Sequence, residues 1–155
     1  MKLCFDNAVL LSELAKLLRE GYTVTIPVRG NSMLPFLADG RDGVTLVRCP
    51  SDELPCGAVV LARTTDGRIV LHRIVRRDGE RLWLQGDGNV RGAEQALGAD
   101  VMAVAVAFVR KGRIYPATGR AWRVYSWIWR HGGRMGRRYA LALYRRMAGK
   151  WQLCV

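Results

Sequence analysis

Polar and apolar positions change their period at Gly21. Before it, Leu10, Leu14, Leu17 and Leu18 follow the i, i+4, i+7, i+8 spacing of one helix face, interrupted by Ser12, Glu13, Lys16 and Arg19. Asp6 or Asn7 can cap the start of such a helix and Gly21 can end it. The spacing predicts an amphipathic helix over residues 7–20. It either packs on the rest of the chain or lies on a membrane, and it does not span one.

After Gly21 the apolar residues cluster in short β-rich runs at residues 22–28, 44–48, 58–63, 68–76, 81–85 and 101–109. Asp66-Gly67 and Asp78-Gly79 sit between consecutive runs, and an Asp-Gly pair supplies the positive φ angles of a tight hairpin turn. Residues 58–85 are therefore predicted to form a three-strand meander. Six short strands with Gly and Pro between them, and helical segments at the ends, predict a mostly β (α+β) fold, barrel-like or sandwich.

Past residue 110 the texture changes again. Residues 121–130 are aromatic and basic, His131-Gly132-Gly133 breaks the run, and residues 134–148 read as a helix. At about 100° per residue, Arg134, Arg137, Arg138 and Arg145 fall on one arc of that helix. Tyr139, Ala140, Leu143, Tyr144 and Met147 fall on the other. The chain thus divides into an N-terminal helix (1–21), a β domain (22–110) and a basic helical tail (111–155).

Charge sharpens this division. The 155 residues carry a net charge of +12, yet residues 1–109 hold thirteen basic and thirteen acidic side chains. Residues 110–155 hold twelve basic and no acidic ones. A neutral body with a basic tail points to an anionic partner, a membrane surface or a nucleic acid. Arginines on a helix just after Trp122, Tyr125, Trp127 and Trp129 suit an interfacial membrane anchor through Arg134, Arg137, Arg138 and Arg145. The same pattern equally fits a helix packed on the body with its arginines in water. Nucleic acid ranks lower, since no recognition-helix pattern or zinc finger accompanies the charge.

The four cysteines (Cys4, Cys49, Cys56, Cys154) form no CxxC pair, which argues against a zinc ribbon or a thioredoxin-type centre. No metal and no cofactor is expected. Neither a secretory-signal pattern nor an apolar run of about 18 residues is present. The sequence expectation is a cytoplasmic protein with reduced thiols, at most peripheral at the inner membrane face.

Three residues draw attention as chemistry. Ser32 lies between Gly30 and Pro35, which fix a tight backbone path. A lone serine there is ordinarily a turn residue. His72 alternates with Val70 and Ile74 on one strand face, where a core histidine is ordinary. Asp87, in Gln85-Gly86-Asp87-Gly88-Asn89, reads alone as a turn acid. Together they permit a serine nucleophile, a histidine base near its normal pKa and a carboxylate that fixes the histidine tautomer.

Gly30-Asn31-Ser32-Met33-Leu34-Pro35 resembles the G-x-S-M-x-P box of type I signal peptidases and the related self-cleaving SOS-type repressors. Leu71-His72-Arg73-Ile74-Val75 resembles the H-R-[IV] box of the archaeal and endoplasmic-reticulum branch, which uses a Ser–His dyad. Gln85-Gly86-Asp87-Gly88-Asn89 resembles that branch's G-D-x-N box, and residues 100–108 its closing strand. The similarity spans residues 24–109 and is nearest to short bacterial forms without a membrane span. It implies a signal-peptidase-type coiled β-barrel with Ser32 as nucleophile, His72 as general base and Asp87 orienting His72. Glu94 lies near where the branch carries a further acid. Gly30, Met33, Pro35 and Val70 would line a peptide bound as an added strand between residues 24–28 and the strand around Val70.

The chain departs from that pattern at three points. The segment before Ser32 carries an amphipathic helix where a spanning one is usual. Gly57-Ala58 stands where the family commonly has Gly-Asp. No lysine lies between Lys16 and Lys111, which excludes a Ser–Lys dyad in the body, and Arg63 and Arg73 stay protonated. The leading expectation is a serine endopeptidase acting on a leader or precursor peptide. The alternatives are a non-catalytic peptide-binding or membrane-adaptor module on the same fold, and a DNA-contacting regulator.

Overall fold

A computed structural model describes residues 7–151. The chain runs α1 (Asn7–Arg19), β1 (Val24–Pro27), β2 (Gly43–Val47), β3 (Val59–Arg63), β4 (Ile69–Asp78), β5 (Arg81–Gln85), β6 (Glu94–Leu97), β7 (Val101–Arg110), β8 (Arg113–Pro116), α2 (Arg120–His131) and α3 (Gly133–Trp151). One antiparallel sheet, ordered β1-β2-β7-β3-β4-β5-β6 with β8 paired to the end of β7, curls into a half-barrel. The fold is mostly β, with one N-terminal and two C-terminal helices, as the sequence pattern predicts.

The meander forms as expected, with a register shift between Ile74 and Arg76 where β4 pairs with β5. Val59 pairs with Arg73 and Arg63 with Ile69 across the Asp66-Gly67 turn, and Arg77 pairs with Leu82 across Asp78-Gly79. Leu14 and Leu18 of α1 are buried with Val28, Leu37, Val44, Leu46 and Phe108. Leu10 and Leu17, assigned to the same apolar stripe, stay 46% and 37% exposed, so the buried face of α1 is narrower than its sequence period implies. At its end, Tyr22 N–H bonds the Leu17 carbonyl (3.0 Å) and Gly21, at φ 89°, turns the chain into β1.

A second cluster, with Val60, Ile74, Leu82, Leu84 and Ala96, fills the other side of the β3–β5 meander. Both faces of that meander are thus covered. Along β4, His72, Arg73 and Ile74 are therefore buried in succession, while Val75, Arg76 and Asp78 beyond them are exposed.

Residues 111–155, read from sequence as a tail, begin as part of this body. Lys111 (φ 50°) and Gly112 (φ 77°) make a tight turn that folds β8 back on β7. Helix α2 then lays Trp122 against Phe108, with ring centroids 3.8 Å apart, and against Phe36 at 5.0 Å. Trp129 packs with Leu34 and with Leu141 of α3. The aromatic–basic run is thus a core helix on one face, because Trp122 and Trp129 recur at the seven-residue spacing of one helix side. Cys49 and Cys56 are free, while Cys4 and Cys154 lie outside the described residues. Among the described residues no helix is long and apolar enough to cross a membrane.

Candidate active site

Ser32 sits in the loop between β1 and β2. Gly30, at φ 76°, opens the loop and donates its N–H to Asp39 Oδ1 (3.0 Å). Asp42 closes it. Its buried carboxylate accepts from Ala38 N (2.8 Å), Lys111 N (3.0 Å) and both Nε and Nη2 of Arg41 (2.8 and 2.6 Å). Burial alone would raise this carboxyl, but Arg41 and the two backbone donors outweigh it and hold it below the ordinary range. Asp42 is a positioning residue that motif reading missed.

The segment after β5 grips this loop backbone to backbone. Gly88 N–H donates to the Ser32 carbonyl at 2.7 Å. A Cβ on Gly88 would come within 2.6 Å of the Asn31 carbonyl oxygen. A Cβ on Gly86 would lie 2.3 Å from the Ser32 carbonyl oxygen and 3.0 Å from His72 Nε2. Only glycine permits this approach. Ser32 and His72 therefore flank the same glycine, 40 residues apart in sequence and adjacent in space. Among the described residues no hydrogen bond joins the Ser32 hydroxyl to His72.

His72 is 5% exposed, and its Nδ1 lies 3.0 Å from Glu94 Oε2. A carboxylate only accepts, so Nδ1 carries the proton and Nε2, the nitrogen facing Gly86 and Ser32, presents its lone pair. Burial lowers the His72 pKa below its ordinary value, and the Glu94 carboxylate partly offsets that by raising it. The result is a neutral imidazole of fixed tautomer beside a half-buried serine.

Asp87 does not orient His72. Its two oxygens accept from Arg73 Nε (2.8 Å) and Nη2 (2.7 Å), and Oδ2 also accepts from the Tyr125 hydroxyl (2.8 Å). The reason is strand alternation: consecutive residues of β4 point to opposite faces. His72 faces Glu94, Arg73 faces Asp87, and the orienting carboxylate comes from β6. The Asp87 charge still raises the His72 pKa, but it ranks below Glu94 in doing so.

Arg73 also donates to the Gly57 carbonyl (3.1 Å) and to the Ser126 hydroxyl of α2, and its head stands 5.0 Å from the Trp122 ring centre. Trp129 Nε1 donates to the Asp87 carbonyl at 3.0 Å. Burial and the Asp87 charge push the Tyr125 hydroxyl well above its ordinary pKa, so it stays a donor. Helix α2 thus locks the segment that holds Ser32.

The expected substrate contacts divide. Gly30 is exposed, and Pro35 and Val70 are half-buried at the loop and on β4. Met33 is 1% exposed in the main core, so it supports the loop from beneath and cannot line a peptide. Among the described residues, strand β1 pairs with β2 alone, and β4 gains its β5 partner only from Arg73 onward, so Ile69–His72 pairs with β3 alone. Both flanks proposed for an added strand keep a backbone edge. Among the described residues no cluster of His, Cys, Asp and Glu could hold a metal ion.

No protein-family model, no curated protein and no solved structure matches the chain.

Proposed function

We propose that the protein is a serine endopeptidase of the signal-peptidase-like kind, with Ser32 as nucleophile, His72 as general base and Glu94 orienting His72. One observation carries the reading: a neutral, Glu94-anchored imidazole turns Nε2 toward the glycine against which the Ser32 backbone rests. A serine becomes nucleophilic when such a base takes its proton. His72 Nε2 accepts the Ser32 Oγ proton as Oγ bonds to the peptide carbonyl carbon. The imidazolium so formed is stabilised by Glu94, and its proton passes to the leaving amine. Water then attacks the acyl-serine by the same route in reverse. The Ser32 N–H donates to the oxyanion. Asp87, with Arg73 and Tyr125, holds the Gly86–Gly88 segment against Ser32 and acts through that segment.

The bound peptide runs as an added strand beside β1 or the first half of β4. The test is labelling by a fluorophosphonate, followed by mass spectrometry of the adduct. The adduct belongs on Ser32, and labelling falls away in Ser32→Ala and in His72→Ala. Equal labelling of wild type and Ser32→Ala overturns the assignment. No labelling of any form, together with no cleavage across a peptide library, favours a non-catalytic peptide-binding module.

A further inference from the structure

Helix α3 contacts the body on one side only. Leu141 is buried against Leu34 and Trp129, and Tyr144 is half-buried with its hydroxyl 3.5 Å from Arg41 Nη1. Met135, Tyr139, Leu143 and Met147 follow one another at four-residue spacing and are between 56% and 70% exposed. At about 100° per residue they occupy an arc roughly opposite Leu141. Helix α2 does the same: it buries Trp122 and Trp129 and leaves Trp127 63% and Ile128 53% exposed. Single exposed apolar residues are ordinary, but a regular four-residue stripe along one helix, with a second exposed patch on its neighbour, is not.

The charges on the two helices are all of one sign. Arg134, Arg138, Arg145 and Arg146 are exposed on α3, and neither α2 nor α3 contains an acidic residue. Arg137, assigned by the sequence to the same set, turns inward and lies half-buried, its Nη1 3.4 Å from Gln85 Oε1. Arg138 and Arg145 also line a cleft of about 350 Å³ together with Arg91, Gly88 and Asn89, and no carboxylate lines it. Arg91 belongs to the β5–β6 segment, so the body and the helix converge their cations on one hollow.

We infer that the outer face of α2 and α3 docks on an anionic lipid bilayer. The stripe from Met135 to Met147 and Trp127 enter the interface, and Arg146, within the arc of the stripe, and Arg138, nearest its edge, reach the lipid phosphates. Charge complementarity selects this occupant. A second copy of the chain would bring a like-charged face against this one, and a nucleic acid would leave the apolar stripe in water. Apolar burial and arginine–phosphate attraction act together only at a lipid surface.

The test uses the full chain and reads binding alone, so it stands whether or not Ser32 is a nucleophile. Vesicles of phosphatidylcholine, with and without phosphatidylserine, are floated with the wild type, Tyr139→Glu/Leu143→Glu, and Arg138→Gln/Arg146→Gln. All four positions are at the surface, and circular dichroism checks the fold of each variant. The wild type binds the phosphatidylserine vesicles, more weakly as salt rises. The arginine variant loses about fivefold per arginine. The stripe variant loses binding although its arginines remain. Tryptophan emission shifts to the blue on binding, and Trp127→Phe removes most of that shift. Failure to bind phosphatidylserine vesicles at low salt overturns the inference. So does binding that the stripe variant leaves unchanged, and so does tight binding of duplex DNA or RNA without any vesicle binding.

Discussion

Arg73 and Asp87 form a two-pronged ion pair, Nε to Oδ1 at 2.8 Å and Nη2 to Oδ2 at 2.7 Å, with each side chain only 2% exposed. It joins β4, the site segment after β5 and, through Tyr125 and Ser126, helix α2. Removing one charge of such a pair strands the other out of water, at a cost of about 3–5 kcal/mol. Asp87→Asn should therefore lower the unfolding free energy by about that much in urea titration, and slow Ser32 labelling as the Gly86–Gly88 segment loosens. A loss below about 1 kcal/mol would mean that water reaches the Arg73 head and that the pair is not a structural centre.

His72 must be neutral to take the Ser32 proton. Burial depresses its pKa below 6.5, with Glu94 acting in the opposite direction. The Ser32 labelling rate should therefore be flat through neutral pH, with its acid limb below 6.5. Glu94→Gln removes the charge that raises this pKa, so the limb moves to still lower pH. The plateau should also fall, by about 10²–10⁴-fold, because the imidazolium formed in the transition state loses its counter-charge. A limb that moves upward in Glu94→Gln would remove Glu94 from this role. The same depression has a stability consequence. Below pH 6.5 the unfolded chain binds the proton more readily than the folded one, so the His72 contribution to stability declines as pH falls.

Helix α2 behaves as core rather than appendage. Trp122 is 5% exposed and stacks on Phe108. Trp122→Ala should cost about 3–5 kcal/mol, measured by urea or thermal unfolding. The exposed neighbour Trp127, replaced by Ala, should cost less than about 0.5 kcal/mol, as ordinary surface positions do. Equal small effects at both positions would mean that α2 is not docked in solution.

Much of this architecture is legible in the residues. The 3.6-residue period of α1 and the two Asp-Gly turns of the β3–β5 meander state their structure locally. The irregular loop around Ser32 and the strand that carries His72 are local readings too. What was not legible depends on contacts distant in sequence. Strand β6, Glu-Gln-Ala-Leu, has weak β propensity and exists because β5 offers it an edge. Strand β8 is only four residues long and forms by folding back on β7. The exchange of carboxylates, Glu94 to His72 and Asp87 to Arg73, follows from the opposite directions of two adjacent side chains. One signal could have found it: alternation along β4 already separates His72 from Arg73, and a buried arginine requires an acid of its own. The docking of α2 was similarly half-visible in the seven-residue spacing of Trp122 and Trp129.

The closest test of the site geometry is a single methyl group. A Cβ at Gly86 would stand 2.3 Å from the Ser32 carbonyl oxygen and 3.1 Å from its carbonyl carbon, both backbone atoms that cannot swing aside as a side chain does. It would also meet His72 Nε2 at 3.0 Å. Gly86→Ala must therefore push the Ser32 loop away from the base or break the Gly88-to-Ser32 hydrogen bond. Ser32 labelling should fall at least about tenfold, with destabilisation of about 1–3 kcal/mol from overpacking. Gly92 lies six residues on in the same connection, with nothing within 4 Å of its would-be Cβ. Gly92→Ala should therefore leave both labelling and stability near wild type. If Gly86→Ala labels at the wild-type rate, the glycine does not separate nucleophile from base, and the Ser32–His72 pairing fails with it.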